Sequence, residues 1–390
     1  MKLKPSLKID NSLPIRVLQV FTILERAGAE SMIMNYYRNI DRSKVQFDFL
    51  VHRHETGAFD SEIKALGGKI FRLPPITSFR YRNQLEKFVK SQNYIIIHSH
   101  IDAYSYWILK SAKKNKIPVR IAHSHSAVQT SLKDLFAGKS NFSQSLKGIA
   151  QSYLRYGVRR YATHYFACGQ KAGDWLFGNK KDSLTIIKNA LPTKKFMFNI
   201  EARNQIRLQL GVKENEFVVG HVGRFSEVKN HKFLIQIFEE IKKTNKNFKL
   251  ILVGGGTLKN EIKSAVETIG LGSCVDFLGI RKDIPQLLQA FDIFLFPSIF
   301  EGLPVTMIEA QVSGLPIIAS DSITKEVNVT DLVTNVSLQK MPSEWANIII
   351  QKVKNTKRYD RSEEIVKSGY DIQANAKKLQ DFYLDQQPIT

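Results

Sequence analysis

The stretch FDIFLFPSIFEGLPVTMIEAQVSGLPIIAS, Phe291 to Ser320, carries the pattern that decides the fold. It opens on a short, almost continuous apolar run (291–297) and closes on another (314–320), with a Gly-Leu-Pro turn and a helical segment between them. Short runs that are apolar throughout suit strands covered on both faces, which is the situation of a parallel sheet whose crossovers are helices. Outward from this unit the same alternation continues. Upstream lie FVVGHVG (217–223), FKLILVGGG (248–256) and CVDFLG (274–279). In the first half IRVLQVF (15–21), QFDFLVH (46–52), YIIIH (94–98), IPVRIAH (117–123), HYFAC (164–168) and LTIIK (184–188) alternate with helical segments near 29–40, 59–66 and 103–115. The turn-rich NALPTKK (189–195) separates the halves, and 360–386 reads as helical and amphipathic. The fold class is therefore α/β, with two successive Rossmann-like, doubly wound parallel-sheet domains facing across a cleft. The expected division is a tail over 1–13, domains over 14–192 and 193–365, and a last segment over 366–390.

Length and composition agree: 390 residues exceed one compact core, and 43% hydrophobic with 24% charged residues suits a globular protein. Two cysteines, Cys168 and Cys274, supply neither a disulfide framework nor a metal knuckle, which makes a reducing cytoplasm the expected compartment. MKLKPSLKIDNSLP lacks the apolar run of a signal peptide, and no stretch approaches the ~20 apolar residues of a spanning helix. The net charge of +21 is uneven. Arg72 to Lys181 holds 19 Lys/Arg against four acids, +15, leaving 38 against 32, or +6, for the rest. A basic, aromatic-rich first half attracts polyanions, whether nucleic acid, anionic headgroups or phosphorylated substrates.

Ligands of open α/β sheets bind beyond the carboxyl ends of the strands, so the residues after each strand are the candidates. After 217–223, Gly223 leads to Arg224 and Lys229, a fork and a mobile point charge ahead of a helix start, which suits a diphosphate. After 248–253, Gly254, Gly255 and Gly256 fit neither the dinucleotide fingerprint nor the P-loop; a close backbone approach to a nucleotide and a tight turn are both open. After 291–297, Glu301 lies in the loop with Gly302 and Leu303. Pro304 falls in the first helical turn, and Val305 and Thr306 follow with free N–H groups. Glu309 is eight positions on, roughly 800° of helix, so the two acids face ~80° apart and reach different parts of one ligand. Carboxylates suit paired sugar hydroxyls. After 15–21, Gly28 allows close approach at a helix start. His98, His100, His123 and His125, in two His-Ser-His pairs, and His221 sit at or near strand ends. No third or fourth ligand accompanies them, so contact with a substrate is expected and metal is not.

Taken together these residues resemble the family-4 retaining glycosyltransferases of the GT-B fold, and most nearly the bacterial exopolysaccharide and capsular enzymes of the EpsF type. The resemblance spans roughly Ile15 to Tyr383. It rests on GRFSEVKNH, VGGG, FLG and FPSIFEGLPVTMIEAQVSGLPIIASD in that order, supported by RAGAESMIMNYYRNID and RIAHSHS. It implies that Arg224 and Lys229 clamp the donor diphosphate, that Glu309 holds the ribose and Glu301 the donor sugar, and that Gly28 meets the diphosphate. It also implies that His125, with His123 as the rival, faces sugar and acceptor, and that the last helix returns to the first domain. Transfer would proceed with retention, without metal, cofactor or protein nucleophile. The donor would be a UDP-sugar, and the acceptor a saccharide, lipid-linked at the inner face of the membrane, where KDLFAGKSNFSQSLKGIAQSYLRYGVRRYATHYF (133–166) resembles an interfacial segment. Three positions depart from the family pattern: Ala27 stands for a glycine, NALP (189–192) lacks the usual acid, and VGGGT replaces VGDGP. The departures bear on base preference, not on fold. Two other readings share the features: a UDP-N-acetylglucosamine 2-epimerase-like enzyme on the same fold, and a basic nucleic-acid-binding protein, for which no recognised module is present.

Overall fold

Strand order reverses once in each of two parallel sheets, and those two reversal points organise the molecule. The computed structural model describes residues 13–25, 28–125, 142–178, 183–355 and 357–386. The chain forms two compact units. One runs to Ala190 and resumes at Ile372; the other is Leu191–Asp371.

The first unit holds β1 (Ile15–Phe21), β2 (Val45–Val51), β3 (Ile70–Arg72), β4 (Ile96–Ser99), β5 (Val119–Ser124), β6 (His164–Ala167) and β7 (Leu184–Ile186), in the order β3-β2-β1-β4-β5-β6-β7. The second holds β8 (Phe217–Val222), β9 (Phe248–Val253), β10 (Val275–Gly279), β11 (Ile293–Phe296), β12 (Ile317–Ser320) and β13 (Val333–Val336), in the order β10-β9-β8-β11-β12-β13. The switch points fall between β1 and β4 and between β8 and β11. The opening stretch is thus β11, the helix Val305–Val312 and β12, paired in parallel from Phe294 with Ile317 to Phe296 with Ala319.

Burial explains the continuous apolar runs. Every residue of β2 is buried, Asp48 included, and its carboxylate is met by Arg16, by Tyr94 Oη at 2.7 Å and by the Lys69 N–H at 2.7 Å. In β8, Gly220 sits where any Cβ would fall within 1.9 Å of the Phe291 ring, so glycine is required for β8 to lie beside β11. The final helix, Ile372–Asp385, presents Ile372, Ala376, Leu379 and Tyr383 at i, i+4, i+7 and i+11, and this stripe enters the core formed by β1, β2 and the helix Gly28–Asn39.

The observed division falls at 190/191 and 371/372, rather than at 192/193 and 365/366. Leu191 bonds to the Tyr370 carbonyl and bridges Asp371, and Thr193 Oγ1 donates to Asp371, which ties the link and the return strand into the second unit. The segment read as one helix over 360–386 is two, Ser362–Lys367 and Ile372–Asp385, interrupted where Gly369 takes φ +77°. The sequence reading also passed over β3, β13 and the helix Tyr81–Ser91. Cys168 and Cys274 are both free thiols.

Candidate functional site

In the second unit three loops meet at the carboxyl end of the sheet. The loop after β8 is stitched to that after β11 by the Ile299 N–H on the Val228 carbonyl at 2.8 Å and by Asn230 Nδ2 on the Pro297 carbonyl at 3.2 Å. Asn230 takes φ +55° to make this turn into the helix His231–Thr244. The loop after β8 is joined to that after β9 through the Phe225 N–H on the Gly255 carbonyl and the Leu258 N–H on the Phe225 carbonyl.

On this frame Lys229 Nζ lies 2.7 Å from Glu301 Oε1, each side chain 16% exposed, and 4.4 Å from the centroid of the Phe296 ring. The contact is an ion pair whose angles are not those of a hydrogen bond. Gly223 leaves the room this requires, since a Cβ there would fall 3.2 Å from Lys229 Cε and 2.7 Å from His221 Nε2. Arg224 is exposed, and among the described residues its guanidinium has no ion-pair partner. The loop then runs through exposed Gly302 and half-buried Leu303 to Pro304, which is the N-cap of Val305–Val312 with ψ 97°, one position earlier than its expected place inside the first turn. Pro304 closes the start of the helix by accepting from the Met307 N–H at 3.0 Å; the N–H groups of Val305 and Thr306 have no acceptor inside the helix. Thr306 Oγ1 and Ser298 Oγ nearby are buried without partners.

Glu309 is largely enclosed by protein yet keeps some accessible surface, and no ion pair or side-chain hydrogen bond engages it among the described residues. Burial raises its carboxyl to about 7. Glu301 and Glu309 therefore differ in kind: one faces a cation, and the other has no charged partner among the described residues.

The glycines separate as well. Gly254 has φ +146°, and a Cβ on it would lie 2.0 Å from the Gly223 carbonyl oxygen. At Gly255 a Cβ would meet only the tip of Ile280, at 3.0 Å. In the first unit Gly28 opens its helix with nothing within 4 Å of a Cβ position; Ala27, before it, lies outside the described residues.

The first unit's switch point gathers histidines. His98 ends in β4, His100 follows it, His123 is in β5 and His125 follows that. His98 Nε2 is 3.1 Å from His123 Nδ1, and His100 Nδ1 is 2.9 Å from His125 Nε2. Tyr383 Oη lies 2.6 Å from His98 Nδ1, and Gln19 Oε1 lies 2.8 Å from His100 Nε2. Burial depresses all four, His125 to about 3, so they are neutral near pH 7. His98, His100 and His123 bring ring nitrogens within 4.8 Å of one another, a spacing open to metal chelation, but every one of these nitrogens except His123 Nε2 already has a hydrogen-bond partner. His123 is 0% and His100 4% exposed, while His125 keeps accessible surface. Of the three histidines expected to contact a ligand, His125 is the most exposed. The His125 N–H is anchored at 3.0 Å by Asp102, itself held at φ +45°.

Sequence reasoning missed Gln19, Tyr383 and the pairing of Lys229 with Glu301. Gln19 did leave a signal, as the one uncharged polar residue in IRVLQVF. His221 is fully buried, its Nδ1–H donating to the Leu295 carbonyl at 2.9 Å and its Nε2 without a partner.

A family model described as "Glycosyl transferases group 1" matches residues 202–379. EpsF of Bacillus subtilis (strain 168), a protein named as a glycosyltransferase, is 37% identical over 383 residues, covering 96% of this chain and 97% of its own. The UDP-Gal:alpha-D-GlcNAc-diphosphoundecaprenol alpha-1,3-galactosyltransferase of Escherichia coli is 26% identical over 320 residues, covering 77% of this chain and 78% of its own. Among solved structures, HepE of Anabaena in complex with UDP and glucose superposes with a TM-score of 0.73 at 19% identity, over 95% of this chain and 100% of that one. The last likeness is one of fold, GT-B, with two parallel sheets carrying helices. The chain belongs to the group 1 glycosyl transferases.

Proposed function

We propose that this member of the group 1 glycosyl transferases moves a hexose from a UDP-sugar to a lipid-linked saccharide during exopolysaccharide or capsule assembly, with retention of configuration. The observation that carries the reading is the end of the second sheet. There Arg224 and Glu309, neither with an ion-pair partner among the described residues, a lysine held beside a glutamate and the first turn of a helix all lie beyond the strands at one switch point. Arg224 and Lys229 meet the diphosphate and carry the negative charge that grows on the leaving group, a task that requires no divalent cation. The N–H groups of Val305 and Thr306 add a helix-start anion site. Glu309 accepts from the ribose hydroxyls, and Glu301 from the donor sugar. In the first unit, His125 is the contact for a saccharide. UDP as the carrier is supported by the Escherichia coli relative's name and by the UDP complex of HepE.

The lipid-linked acceptor is supported by the same relative and by one face of the first unit. Along the helix Phe142–Tyr161, Ile149, Tyr153 and Tyr156 are 63%, 60% and 58% exposed, and Arg160 continues the stripe at i+4 from Tyr156. Exposed aromatic residues ending in a cation suit an anionic bilayer surface at the cytoplasmic face. The rest of the expected interfacial stretch, up to residue 141, lies outside the described residues. No helix among the described residues is long and apolar enough to cross a membrane.

The test is a panel of UDP- and GDP-sugars, scored first by ligand-induced thermal shift and then by nucleotide release with and without extracted polyprenyl-diphosphate saccharides. Release that depends on acceptor, from UDP-sugars, is the expected result. Epimer formation without acceptor, or a stabilisation by GDP-sugars only, overturns it.

A further inference from the structure

The four histidines at the first unit's switch point, His98, His100, His123 and His125, form a hydrogen-bonded network, and the direction of its His100–His125 branch can be worked out from two groups that cannot reverse roles. An amide nitrogen only donates and an amide oxygen only accepts. Gln19 Nε2 donates to Tyr383 Oη at 3.3 Å, and Gln19 Oε1 accepts at 2.8 Å, so the proton in that second bond belongs to His100 Nε2. A neutral imidazole has one proton, which leaves His100 Nδ1 an acceptor, and the 2.9 Å bond there must be donated by His125 Nε2. His125 Nδ1 is then a bare lone pair, with no partner among the described residues. On the other branch Tyr383 Oη shares a 2.6 Å hydrogen bond with His98 Nδ1, and His98 Nε2 shares one of 3.1 Å with His123 Nδ1. That branch stops at His123 Nε2, which is buried and unpartnered.

We propose that Gln19 and Tyr383 are positioning residues that lock His125 in its Nε2–H form, so that the atom it offers is an acceptor. An acceptor at Nδ1 receives a hydrogen bond from a ligand hydroxyl and does not bind a phosphate oxygen. The ligand chemistry assigned to His125 is thus a sugar hydroxyl, of donor or acceptor saccharide, and not the diphosphate. The final helix has a second role beyond covering the sheet: through Tyr383 it holds the orientation of the Gln19 amide. The proposal rests on the reading of His125 as a ligand contact, and the test keeps the two apart.

The test uses the intact chain labelled with 15N-histidine. Two-bond 1H–15N correlation reads each ring's tautomer directly, with His125 assigned by the peak lost in His125→Gln. Wild type shows His125 protonated on Nε2. Tyr383→Phe keeps the ring and the packed helix but frees the Gln19 amide, and Gln19→Leu removes the acceptor; both convert His125 to a tautomer mixture. In transfer assays each variant loses about tenfold in kcat/KM, most of it in KM, and adds nothing to the loss already caused by His125→Gln. If wild-type His125 carries its proton on Nδ1, or if neither variant alters its tautomer, the proposal is wrong. If tautomers shift as stated while His125→Gln and both variants transfer normally, the lock stands and the reading of His125 as a ligand contact falls. Should Gln19→Leu fail to fold, Tyr383→Phe decides by itself.

Discussion

Lys229 Nζ and Glu301 Oε1 stand 2.7 Å apart, two opposite charges at the carboxyl end of the second sheet, where the proposed donor site lies. Each is only 16% exposed, so neither is fully screened, and deleting one strands the other. If Lys229 meets the diphosphate as proposed, the phosphate competes with Glu301 for the ammonium and frees Glu301 for the sugar. The two residues therefore act as one device. Lys229→Ala is expected to lower kcat by about 10²–10³, the usual consequence of removing one stabilising donor from a charge-developing site. Glu301→Ala should cost a similar factor, and the double variant much less than the product. Initial rates across the four-protein cycle check this, with urea unfolding to show that each variant remains cooperatively folded. Multiplicative losses would mean that the ion pair has no part in the reaction.

Glu309 gives a pH prediction with a definite sign. Its carboxyl is raised from 4.5 to about 7 in the folded chain, so its contribution to stability is complete below about 4.5 and is lost as pH rises through about 7. In the proposed ribose contact the ionised form is nevertheless the better acceptor of hydroxyl hydrogen bonds. Donor affinity is therefore expected to strengthen as pH rises from 6 to 8, while the ligand-free protein loses stability over the same range relative to Glu309→Gln. Titration calorimetry with UDP at pH 6, 7 and 8 checks the first statement, and thermal unfolding of both proteins checks the second. An affinity that Glu309→Gln leaves equally pH-dependent would assign the titration elsewhere.

The buried histidines act in the opposite sense at lower pH. Burial depresses His98, His100, His123 and His125 in the first unit, and His52, beneath Tyr81, to about 4. A base whose folded pKa is depressed contributes stability that is present above its unfolded value of 6.5 and is lost as pH falls below it, by up to about 1.4 kcal/mol per pH unit for each group. Unfolding at pH 5.5 is expected to take up several protons, with Glu309 offsetting at most one. The pH dependence of the urea transition between 5 and 7.5 measures the number. A flat profile over that range would show that the histidines are already charged in the folded chain.

What could be read from the sequence followed from patterning. β1, β8, β9, β11 and β12 announced themselves as apolar runs because both faces of a central parallel strand are buried. β3 has only three residues, all half-buried, and β13 reads VTNV, so neither edge strand carries that signal. Within the site, Arg224, Lys229, Glu301 and Glu309 were visible because their strand-end places follow from topology. Partnership was not. Nothing in the sequence says that Lys229 faces Glu301, nor that Tyr383, 364 positions from Gln19, closes a chain onto His98 and His100. Such contacts depend on how two loops or a returning helix come together, and local periodicity does not report it.

Gly254 decides an alternative that its sequence left open, between a tight turn and a close approach to nucleotide. With φ +146° and a Cβ position 2.0 Å from the Gly223 carbonyl oxygen, the glycine is demanded by the protein's own backbone. Gly254→Ala must rotate φ or separate the loops after β8 and β9, and is expected to destabilise the second unit by about 2–4 kcal/mol, the range of a strained backbone site plus a lost contact. Gly255→Ala is the control. Its φ is ordinary and its Cβ meets only the flexible end of Ile280, at 3.0 Å, so stability should change by less than about 1 kcal/mol. Urea unfolding followed by far-UV circular dichroism compares the two. If Gly254→Ala unfolds at the wild-type midpoint yet loses UDP-dependent stabilisation, the residue is there for the ligand; if it unfolds early, the turn required it.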